Sequence, residues 1–578
     1  MRLPRVGLGP RACLVLASTA LTAPSAVWAQ PAPGAAPPAV GVPGASAQEL
    51  NPAARVPRPI PRDQDIFAPE QAGPCPLENS TVQLTLNSVT FRGATAVSAA
   101  DLASAYSEYL GKPQSVAVVC AIRDRAARIM FDRGVLARVE IPEQRISGGA
   151  LVLEVIEAHV VNVRVRGDIG PAQAAVERYV EKLRGMTPFD MRKAQRYLLL
   201  ASDVPGVRVR AAVKPSITGE RGAVDIDVSV IRDAVNVVTN VQNLGSHAAG
   251  PWAGLVRADL MSMTSLGENT SLVAYHTLNK DEQWVLQLSE AVRLGSDGWI
   301  GRGSAVYGES RPGGAVSALG LKSKSVVGNL EAAYPLVRMR RVNLNLAGGL
   351  DLINQDTEIG GAGRLGRDKL RVAYLRADGD LRTRALDHLV QFDGAVTVRK
   401  GLSGLGASDA GSPLITRAFA KPDAWLVRGV GSAETLLADR LSASVRVQGQ
   451  YAGDALLPYE QISLGALSVG RGYDPAAILG DSGVGAAFEM RYGPVPLHPR
   501  ILAAPFAFFD VGYVHNNDSI RSGLEAGRTL RSIGAGVTLR LANRANLELT
   551  YAHPLDAVVA GGKRRDDRLL ISLTASIL

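Results

Sequence analysis

The sequence predicts two small α+β domains followed by a 16-stranded antiparallel β-barrel that crosses a membrane. Three observations predict this fold class. A βααββ pattern of hydrophobic periods occurs twice in tandem. The remainder consists of period-2 segments separated by clusters of Gly, Asp and Asn. After residue 29, no uninterrupted apolar run reaches the roughly 18 residues that a membrane helix needs. An array of soluble β-sandwiches is the alternative that these patterns leave open.

The N-terminal part of the 578-residue chain has the features of an exported protein. Arg2, Arg5 and Arg11 precede an apolar stretch and a small-residue cleavage site that ends at Ala29, so residues 1–29 are predicted to be a signal peptide. Residues 30–73 are rich in Pro and Ala without an apolar period, which indicates a linker.

Two cysteines, Cys75 and Cys120, remain after this predicted cleavage. Because exported proteins mature in an oxidising compartment, two cysteines indicate one disulfide. Two unpaired buried thiols are the alternative.

The tandem repeats are predicted to span residues 74–158 and 159–233. Ser98 is a plausible N-cap of the first helix, with Asp101 in its first turn. The successive strand, helix, helix, strand and strand are predicted at 82–93, 98–110, 118–133, 136–142 and 150–157 in the first repeat. In the second they are predicted at 160–167, 171–183, 188–201, 207–214 and 223–231.

Residues 234–578 are predicted to form the barrel. We count sixteen candidate strands, an even number, as expected for a bacterial outer-membrane barrel with polar residues inside and apolar residues outside. The last segment, 569–578, alternates cleanly and suits a closing strand. Aromatic residues make up only 5% of the chain, which is low for a barrel with aromatic girdles at both membrane interfaces.

Composition and motifs argue against an enzyme and against a nucleic-acid-binding protein. The net charge of +9 is spread over scattered Lys and Arg residues, without a run that could follow a phosphate backbone. The seven histidines lack metal-ligand spacing. Gly480–Gly483 resembles a protease nucleophile loop without a matching histidine, and Gly361–Gly366 fits a dinucleotide motif but leads into a strand pattern. We therefore expect no catalytic residue, metal or cofactor.

The segment 464–474 is the most informative of the chain. Gly465, Gly470 and Gly472 prevent a regular strand there and leave Arg471 at a loop tip. In the later strand, Asp510 shares one face with Phe508 and Gly512. If the loop folds back into a barrel, Arg471 and Asp510 can form a charge-assisted pair. Alternatively, Arg471 is a solvated loop residue and Asp510 a strand-end charge.

From about residue 74 to 578 the chain resembles a known family. The shared features include the repeats ending at Gly93 and Gly167, the Cys75/Cys120 pair and the stretch 198–206. The most specific are 460–465, Arg471-Gly472-Tyr473, Gly480-Asp481, Glu489-Met490-Arg491 and the Phe508–Gly512 strand. The sequence is similar to the TpsB transporters of two-partner secretion, outer-membrane proteins with POTRA domains that are related to the general barrel-assembly insertases.

The resemblance implies a role for each part. The repeats would be POTRA domains that lie in the periplasm and capture a secreted, β-helical TpsA-type exoprotein by β-augmentation. A loop at about 455–482 would fold into the barrel, where Arg471, Gly472 and Tyr473 meet the wall at Asp510. The other expected partners are outer-membrane lipid and, during biogenesis, the barrel-assembly machinery.

The sequence differs from the family pattern at three places. Gly470 replaces a branched residue, which predicts a looser loop tip. The Pro-rich linker argues against a regular plug helix, and the chain ends at Ile577-Leu578 without a terminal aromatic. The alternative functions are an insertase that assembles other barrels and a passive diffusion porin. The second leaves the two POTRA domains without a task.

Overall fold

The computed structural model describes residues 46–51, 75–278, 282–361, 363–385, 387–466, 468–523, 525–542, 544–558 and 566–577. The predicted signal peptide lies outside these residues, as does the predicted linker apart from 46–51. Within the described ranges, no helix combines the length and apolar character needed to cross a membrane.

The first α+β domain packs its helices on one three-stranded sheet, with Leu102, Ile122, Met130 and Leu153 in the core. The sheet order is β2-β5-β4, with β2 parallel and β4 antiparallel to β5. The elements are β1 (Gln83–Thr85), β2 (Ser88–Arg92), α1 (Ala99–Leu102), β3 (Pro113–Ser115), α2 (Val118–Asp132), β4 (Ala137–Glu140) and β5 (Ala150–Glu157).

Two predicted elements of this domain differ from the structure. The predicted strand 82–93 is two strands, because the Asn87 amide turns away to donate to the Gly149 carbonyl at 2.8 Å and β1 pairs with β3 instead. The predicted helix 98–110 is one α-helical turn followed by two 3-10 turns. Ser98 caps its start, accepting from the Asp101 amide at 3.2 Å.

Cys75 and Cys120 form a disulfide with a Cα–Cα distance of 5.8 Å. The bond joins the segment before β1 to the first turn of α2, across a sequence separation of 45 residues. It therefore fixes the N-terminal edge of the domain to its central helix.

The second domain repeats the arrangement with sheet order β6-β8-β7. Tyr179 and Phe189 are fully buried in its core. Burial raises the pKa of Tyr179, and its hydroxyl has no hydrogen-bond partner among the described residues. The elements are β6 (His159–Arg166), α3 (Ala172–Val180), α4 (Met191–Ser202), β7 (Val207–Pro215) and β8 (Ala223–Arg232).

The end of α4 joins the second domain to the barrel. Asp203 accepts from Nε and Nη2 of Arg338, both at 2.7 Å, and its carbonyl accepts from Nη2 of Arg293 at 2.6 Å. Arg196 donates to the Pro335 carbonyl at 2.9 Å. Polar contacts from several barrel strands therefore hold this domain against one end of the barrel, here called the near end; the opposite end is the far end.

The barrel is closed and has sixteen strand positions, with β27 pairing β9. The prediction of a 16-stranded barrel is confirmed, and the β-sandwich alternative is wrong. The first eleven strands are β9 (Val235–Gln242), β10 (Ala253–Met261), β11 (Asn269–Thr277), β12 (Gln283–Leu294), β13 (Trp299–Ser310), β14 (Lys322–Arg338), β15 (Val342–Ile359), β16 (Gly363–Ala385), β17 (His388–Gly401), β18 (Trp425–Ala438) and β19 (Leu441–Ala452).

The other five positions follow a long loop, which contains β20 (Ile462–Leu464) and β21 (Ile478–Gly480) outside the barrel ladder. The short β23 shares the twelfth position with β22, since both pair with β24. A single helical turn, α5, lies between β24 and β25. The elements are β22 (Ser482–Tyr492), β23 (Val495–His498), β24 (Ile501–His515), α5 (Ser519–Ser522), β25 (Gly527–Leu541), β26 (Ala545–Pro554) and β27 (Arg568–Ser576).

The few aromatic residues of the barrel include three cross-strand pairs near the strand ends. Trp284 and Tyr307 have ring centroids 4.9 Å apart, near the far end. The pair Trp425–Tyr451 also lies close to the far end. The pair Trp299–Tyr334 lies at the near end. Aromatic rings with one apolar and one polar side favour the two membrane interfaces. The low aromatic content is thus compatible with rings at both boundaries of the membrane.

Candidate functional site

The loop between β19 and β22, residues 453–481, folds into the lumen. Its β20–β21 hairpin places Leu464 and Ile478 against Val514 and Leu530, which face inward from the wall. The apolar residues of the hairpin thus bury themselves inside the barrel. These bounds agree closely with the loop predicted at about 455–482.

Arg471 lies at the tip of this loop and contacts two carboxylates of the wall. Its Nη2 and Nε reach Oδ1 and Oδ2 of Asp510 at 2.9 and 3.2 Å, and its Nη1 reaches Oε2 of Glu489 at 2.7 Å. Asp510 is fully buried and Glu489 is 9% exposed. The structure therefore brings the predicted pair together in a site where charge-assisted hydrogen bonds are shielded from solvent.

Asp510 also binds the backbone of the loop. Its Oδ2 accepts from the Arg471 amide at 2.8 Å and from the Gly470 amide and the Ser532 hydroxyl at 3.3 Å. The Arg471 guanidinium lies 3.6 Å from the ring centroid of Phe508, a cation–π contact. Asp510 thus fixes both the side chain and the main chain of the tip.

Glycines at the tip let the loop approach the wall closely. Gly470 has φ of 110°, and a Cβ there would lie 2.7 Å from Leu530 Cδ1. A Cβ at Gly472 would lie 2.9 Å from Ser532 Cβ, and one at Gly512 would lie 2.5 Å from Leu464 Cδ1. The expectation of a looser tip at Gly470 is therefore wrong, since this glycine permits tight packing.

Tyr473 also attaches the loop to the barrel wall, closer to the far end. Its side chain is fully buried, and its hydroxyl donates to the Arg531 carbonyl at 2.8 Å and accepts from the Asp556 amide at 2.9 Å. The Tyr473 carbonyl accepts from Arg568 of the closing strand. The loop is therefore bonded to β24, β25 and β27.

A second anchor holds the base of the loop to a different part of the wall. Glu460, 5% exposed, accepts from Nε and Nη2 of Arg399 on β17 at 2.8 and 2.7 Å. Arg399 also reaches Asp351 on β15 at 2.8 Å. The loop is therefore attached to the wall at two separate charged sites.

A third charged cluster joins three loops at the far end. Arg417 lies between β17 and β18 and contacts Asp481, at the end of the lumen loop, and Asp518, between β24 and β25. Both aspartates are fully buried at the side chain. Arg417 also donates to the Leu456 carbonyl at 2.9 Å. One guanidinium therefore ties the loops together across the far opening.

Residues 46–51, part of the predicted linker, also lie in the lumen. They form a turn in which the Leu50 amide donates to the Ser46 carbonyl at 3.1 Å. Leu50 is buried among inward-facing residues such as Leu255 and Tyr275, and Gln48 donates to the Ser463 carbonyl of the loop at 3.3 Å. This part of the linker therefore narrows the lumen together with the loop.

The sequence did not reveal the partners of Glu460 and Arg417. Glu489 could have been assigned to the lumen, because it shares its parity on β22 with the inward-facing Ala487. Arg399, in contrast, could not have been paired with Glu460 from the sequence, because the two residues come together only when the barrel closes. Arg417 lies in a loop without periodicity, so no local signal marks it.

Comparison with known proteins identifies the architecture. A family model described as haemolysin secretion/activation protein ShlB/FhaC/HecB matches residues 222–541, more than half of the chain. This chain belongs to that family. A model of the ShlB-type POTRA domain matches residues 84–158, the first α+β domain. The resemblance to TpsB transporters is thereby confirmed.

Individual relatives share this family's architecture at low sequence identity. The haem/hemopexin transporter protein HuxB of Haemophilus influenzae is 21% identical over 485 residues, 79% of this chain and 80% of HuxB. The solved structure of CdiB from Escherichia coli has a TM-score of 0.71 at 16% identity, covering 88% of this chain and 93% of CdiB. CdiB from Acinetobacter baumannii has a TM-score of 0.62 at 17% identity, covering 92% and 94%.

BamA from Haemophilus ducreyi, lacking POTRA domains 1–3, has a TM-score of 0.51 at 13% identity and covers 86% of this chain and 100% of BamA. That likeness shows the fold alone, and the insertase alternative is not favoured. The ShlB/FhaC/HecB proteins are transporters rather than enzymes, so this chain is a TpsB-type secretion transporter of the outer membrane. The near end of its barrel is periplasmic and the far end extracellular.

Proposed function

We propose that this transporter captures an unfolded exoprotein on its periplasmic domains and exports it through the barrel lumen. The observation that carries the proposal is the edge strand β7 of the second domain, which lies beside the periplasmic end of the barrel. Within the part of the chain that the structure describes, β7 pairs with β8 alone, over nine residues from Val207 to Pro215.

An edge of this length suits β-augmentation. One row of backbone groups on β7 faces away from β8, and such groups can pair with an extended chain. Arg208, Arg210 and Lys214 are exposed on one face of β7. Their charges discourage pairing between two copies of the transporter while leaving the edge open to an unfolded segment.

The lumen beyond this edge suits an extended chain in transit. Glu331 on the inner wall pairs with Arg302 and Arg376 and accepts from the Tyr374 hydroxyl at 2.8 Å. These groups satisfy one another, so this part of the wall is polar without an isolated charge that would retain a passing segment. The anchored loop keeps its position in the lumen during passage. The contribution of the assembly machinery stays a prediction from the resemblance.

Disulfide trapping tests the capture step. Ala212→Cys places a thiol at an exposed position of β7, and Gln173→Cys on α3 serves as the control. During secretion, the full-length transporter with Ala212→Cys should form a mixed disulfide with cysteine-bearing segments of the exoprotein. Equal trapping at both positions would show that β7 is not the capture strand.

Proteomics of the culture medium and outer membrane tests the exported product. Deletion of this transporter should remove one large secreted protein and leave the outer-membrane barrels unchanged. Depletion of many barrels would overturn the proposal and make the chain an assembly insertase.

A further inference from the structure

The outward face of β14, β15 and β16 changes from apolar to charged at one level. On β14 the outward residues from Leu336 to Val326 are apolar, small or aromatic, and on β15 the same holds from Val342 to Leu352. On β16 it holds from Leu381 to Ala373. Each stretch has the roughly 9–11 residues that a tilted strand needs to cross the hydrocarbon core. The extracellular boundary of the membrane core therefore lies next to Val326, Leu352 and Ala373.

Beyond this boundary the three strands continue. The outward positions of β14 and β16 carry cations, whereas β15 between them carries Asp356 and Glu358. Leu375 is 71% exposed and Val326 46% exposed, whereas Leu370 and Val327 are buried, which fixes the faces of β16 and β14. Positions of the same parity toward the extracellular end are basic on both strands. Together with Arg364, which joins this face after a β-bulge, they form a cationic rim of Lys322, Lys324, Arg364, Arg367, Lys369 and Arg371.

The carboxylates beside the rim do not balance its charge. Asp356 accepts from both Arg364 at 3.1 Å and Arg367 at 2.7 Å, and Glu358 lies 3.7 Å from Lys324. Glu309 on β13 is shared by Lys322 at 2.8 Å and Arg311 at 2.6 Å.

Two rim cations have no carboxylate partner among the residues that the structure describes. Arg371 is only 8% exposed and donates to backbone carbonyls, including that of Leu405 at 2.9 Å, and to the Asn354 side chain at 3.1 Å, so it does not present its charge to the lipid. Among the described residues, the Lys369 ammonium has neither a hydrogen-bond nor an ion-pair partner. The rim therefore carries excess positive charge at the height where lipid headgroups meet the wall.

We propose that the cationic rim binds the phosphate groups of a phosphorylated lipid in the outer leaflet. The apolar face directly below the rim would receive the acyl chains of the same molecule. A phosphate offers several acceptor oxygens to Lys and Arg, and charge-assisted hydrogen bonds of this kind are strong beside a low-dielectric layer. The lipid would bind on the outside of the barrel, apart from the export path in the lumen.

Binding of lipid A to the full-length transporter in detergent tests the proposal. The diphosphorylated lipid and its enzymatically dephosphorylated form are titrated separately, with Kd measured by microscale thermophoresis. The test variant is Lys324→Gln/Lys369→Gln, which removes the two lysines held most weakly by carboxylates. The matched control is Lys112→Gln/Lys193→Gln, which removes two exposed lysines from the periplasmic domains. A heat-modifiability gel confirms that each barrel is folded.

We expect the test variant to bind diphosphorylated lipid A at least tenfold more weakly than the wild type and the control. Removing the phosphates should weaken binding to the wild type by a similar factor, and equimolar inorganic phosphate should not displace the lipid. Equal lipid affinity of the test and control variants would show that the lipid does not bind at the cationic rim. Equal affinity for the two lipid forms would overturn phosphate recognition, and displacement by inorganic phosphate would overturn the lipid as the ligand.

Discussion

Asp203 and Arg338, 135 residues apart in sequence, join the second periplasmic domain to the barrel through two parallel hydrogen bonds of 2.7 Å. Asp203 follows the last turn of α4, and Arg338 ends β14. Bidentate pairing fixes direction as well as distance. Together with the Arg293 and Arg196 contacts, the pair therefore holds the second domain and its edge strand β7 at the periplasmic end of the barrel.

Asp203→Asn should loosen this junction. Because Asp203 is about a third exposed, we expect the change to cost about 1 kcal/mol locally rather than the larger value of a buried pair. A pair of spin labels on α3 and on the turn between β12 and β13 should show a broader distance distribution. Glu181→Gln, which removes an exposed pair with Arg184 in the same domain, should leave it unchanged.

Arg471→Ala should abolish secretion while the barrel still assembles. The change leaves Asp510 buried without its ionic partner. We expect it to destabilise the folded barrel by about 3–5 kcal/mol and to release the loop tip from the wall. Secretion is measured by exoprotein in the medium and assembly by heat-modifiability. Arg540→Ala on β25 is the control. Normal export by Arg471→Ala would show that secretion does not need the loop tip to be held at the wall.

Exchanging the two charges should not restore secretion. In Arg471→Asp/Asp510→Arg, the new arginine would face the Gly470 and residue 471 amides, which are donors like itself. The new aspartate would face Glu489. The exchange therefore tests the wider network, and recovery above half of wild-type secretion would show that the side-chain pair acts alone.

Arg417→Ala should open the extracellular end. It leaves the fully buried Asp481 and Asp518 without their shared cation, at a cost of about 3–5 kcal/mol, and frees three loops at once. We expect higher mean conductance and more frequent open events in planar bilayers. Arg528→Ala, which removes a more exposed pair with Glu525, should behave as the wild type. Identical conductance in both variants would exclude a closing role for Arg417.

Tyr179→Phe should preserve or raise the stability of the second domain. Among the described residues, the buried Tyr179 hydroxyl has no hydrogen-bond partner, so its removal relieves a desolvation cost of about 1 kcal/mol. Burial also raises the pKa of this hydroxyl. Hydrogen exchange of α3 amides in the intact protein should slow or stay constant. Exchange faster by tenfold would indicate that the hydroxyl has a stabilising partner.

Replacing both Cys75 and Cys120 by Ser should destabilise the first domain alone. Closure of a loop with a sequence separation of 45 residues contributes about 4 kcal/mol in the chain-entropy estimate. Amides of α2 should exchange faster, whereas those of α4 serve as an internal control. Unchanged exchange in α2 would show that the core of Leu102 and Met130 suffices without the bond.

Strand bounds are predicted most accurately where the alternation of apolar residues matches the burial of those residues in a sheet. The strand β5 was predicted with its exact bounds, because alternating residues such as Leu151 and Leu153 are buried in a single sheet. The alternating pattern predicts strands only at 326–334 and 370–381, whereas β14 and β16 extend further at both ends. Their extracellular ends carry Lys324 and Lys369, whose charges hide the strand pattern beyond the membrane.

Contacts between distant loops are the least predictable part of the site. Arg471 and Asp510 could be paired because glycines isolate one charge and strand parity orients the other. Arg399 and Glu460 meet only after the barrel closes and the loop folds inward. No local pattern in a single sequence predicts a contact between residues so far apart in the chain.

The ladder that closes the barrel has a consequence for the connection to the periplasmic domains. Strand β9 follows the second domain almost directly, and it pairs with β27 over five positions but with β10 over eight. The Asn240 side chain adds bonds to Ser572 and Thr574 at 3.0 and 2.8 Å across this short ladder. The covalent connection from the periplasmic domains to the barrel therefore enters the wall next to a short strand ladder, which the Asn240 side chain reinforces.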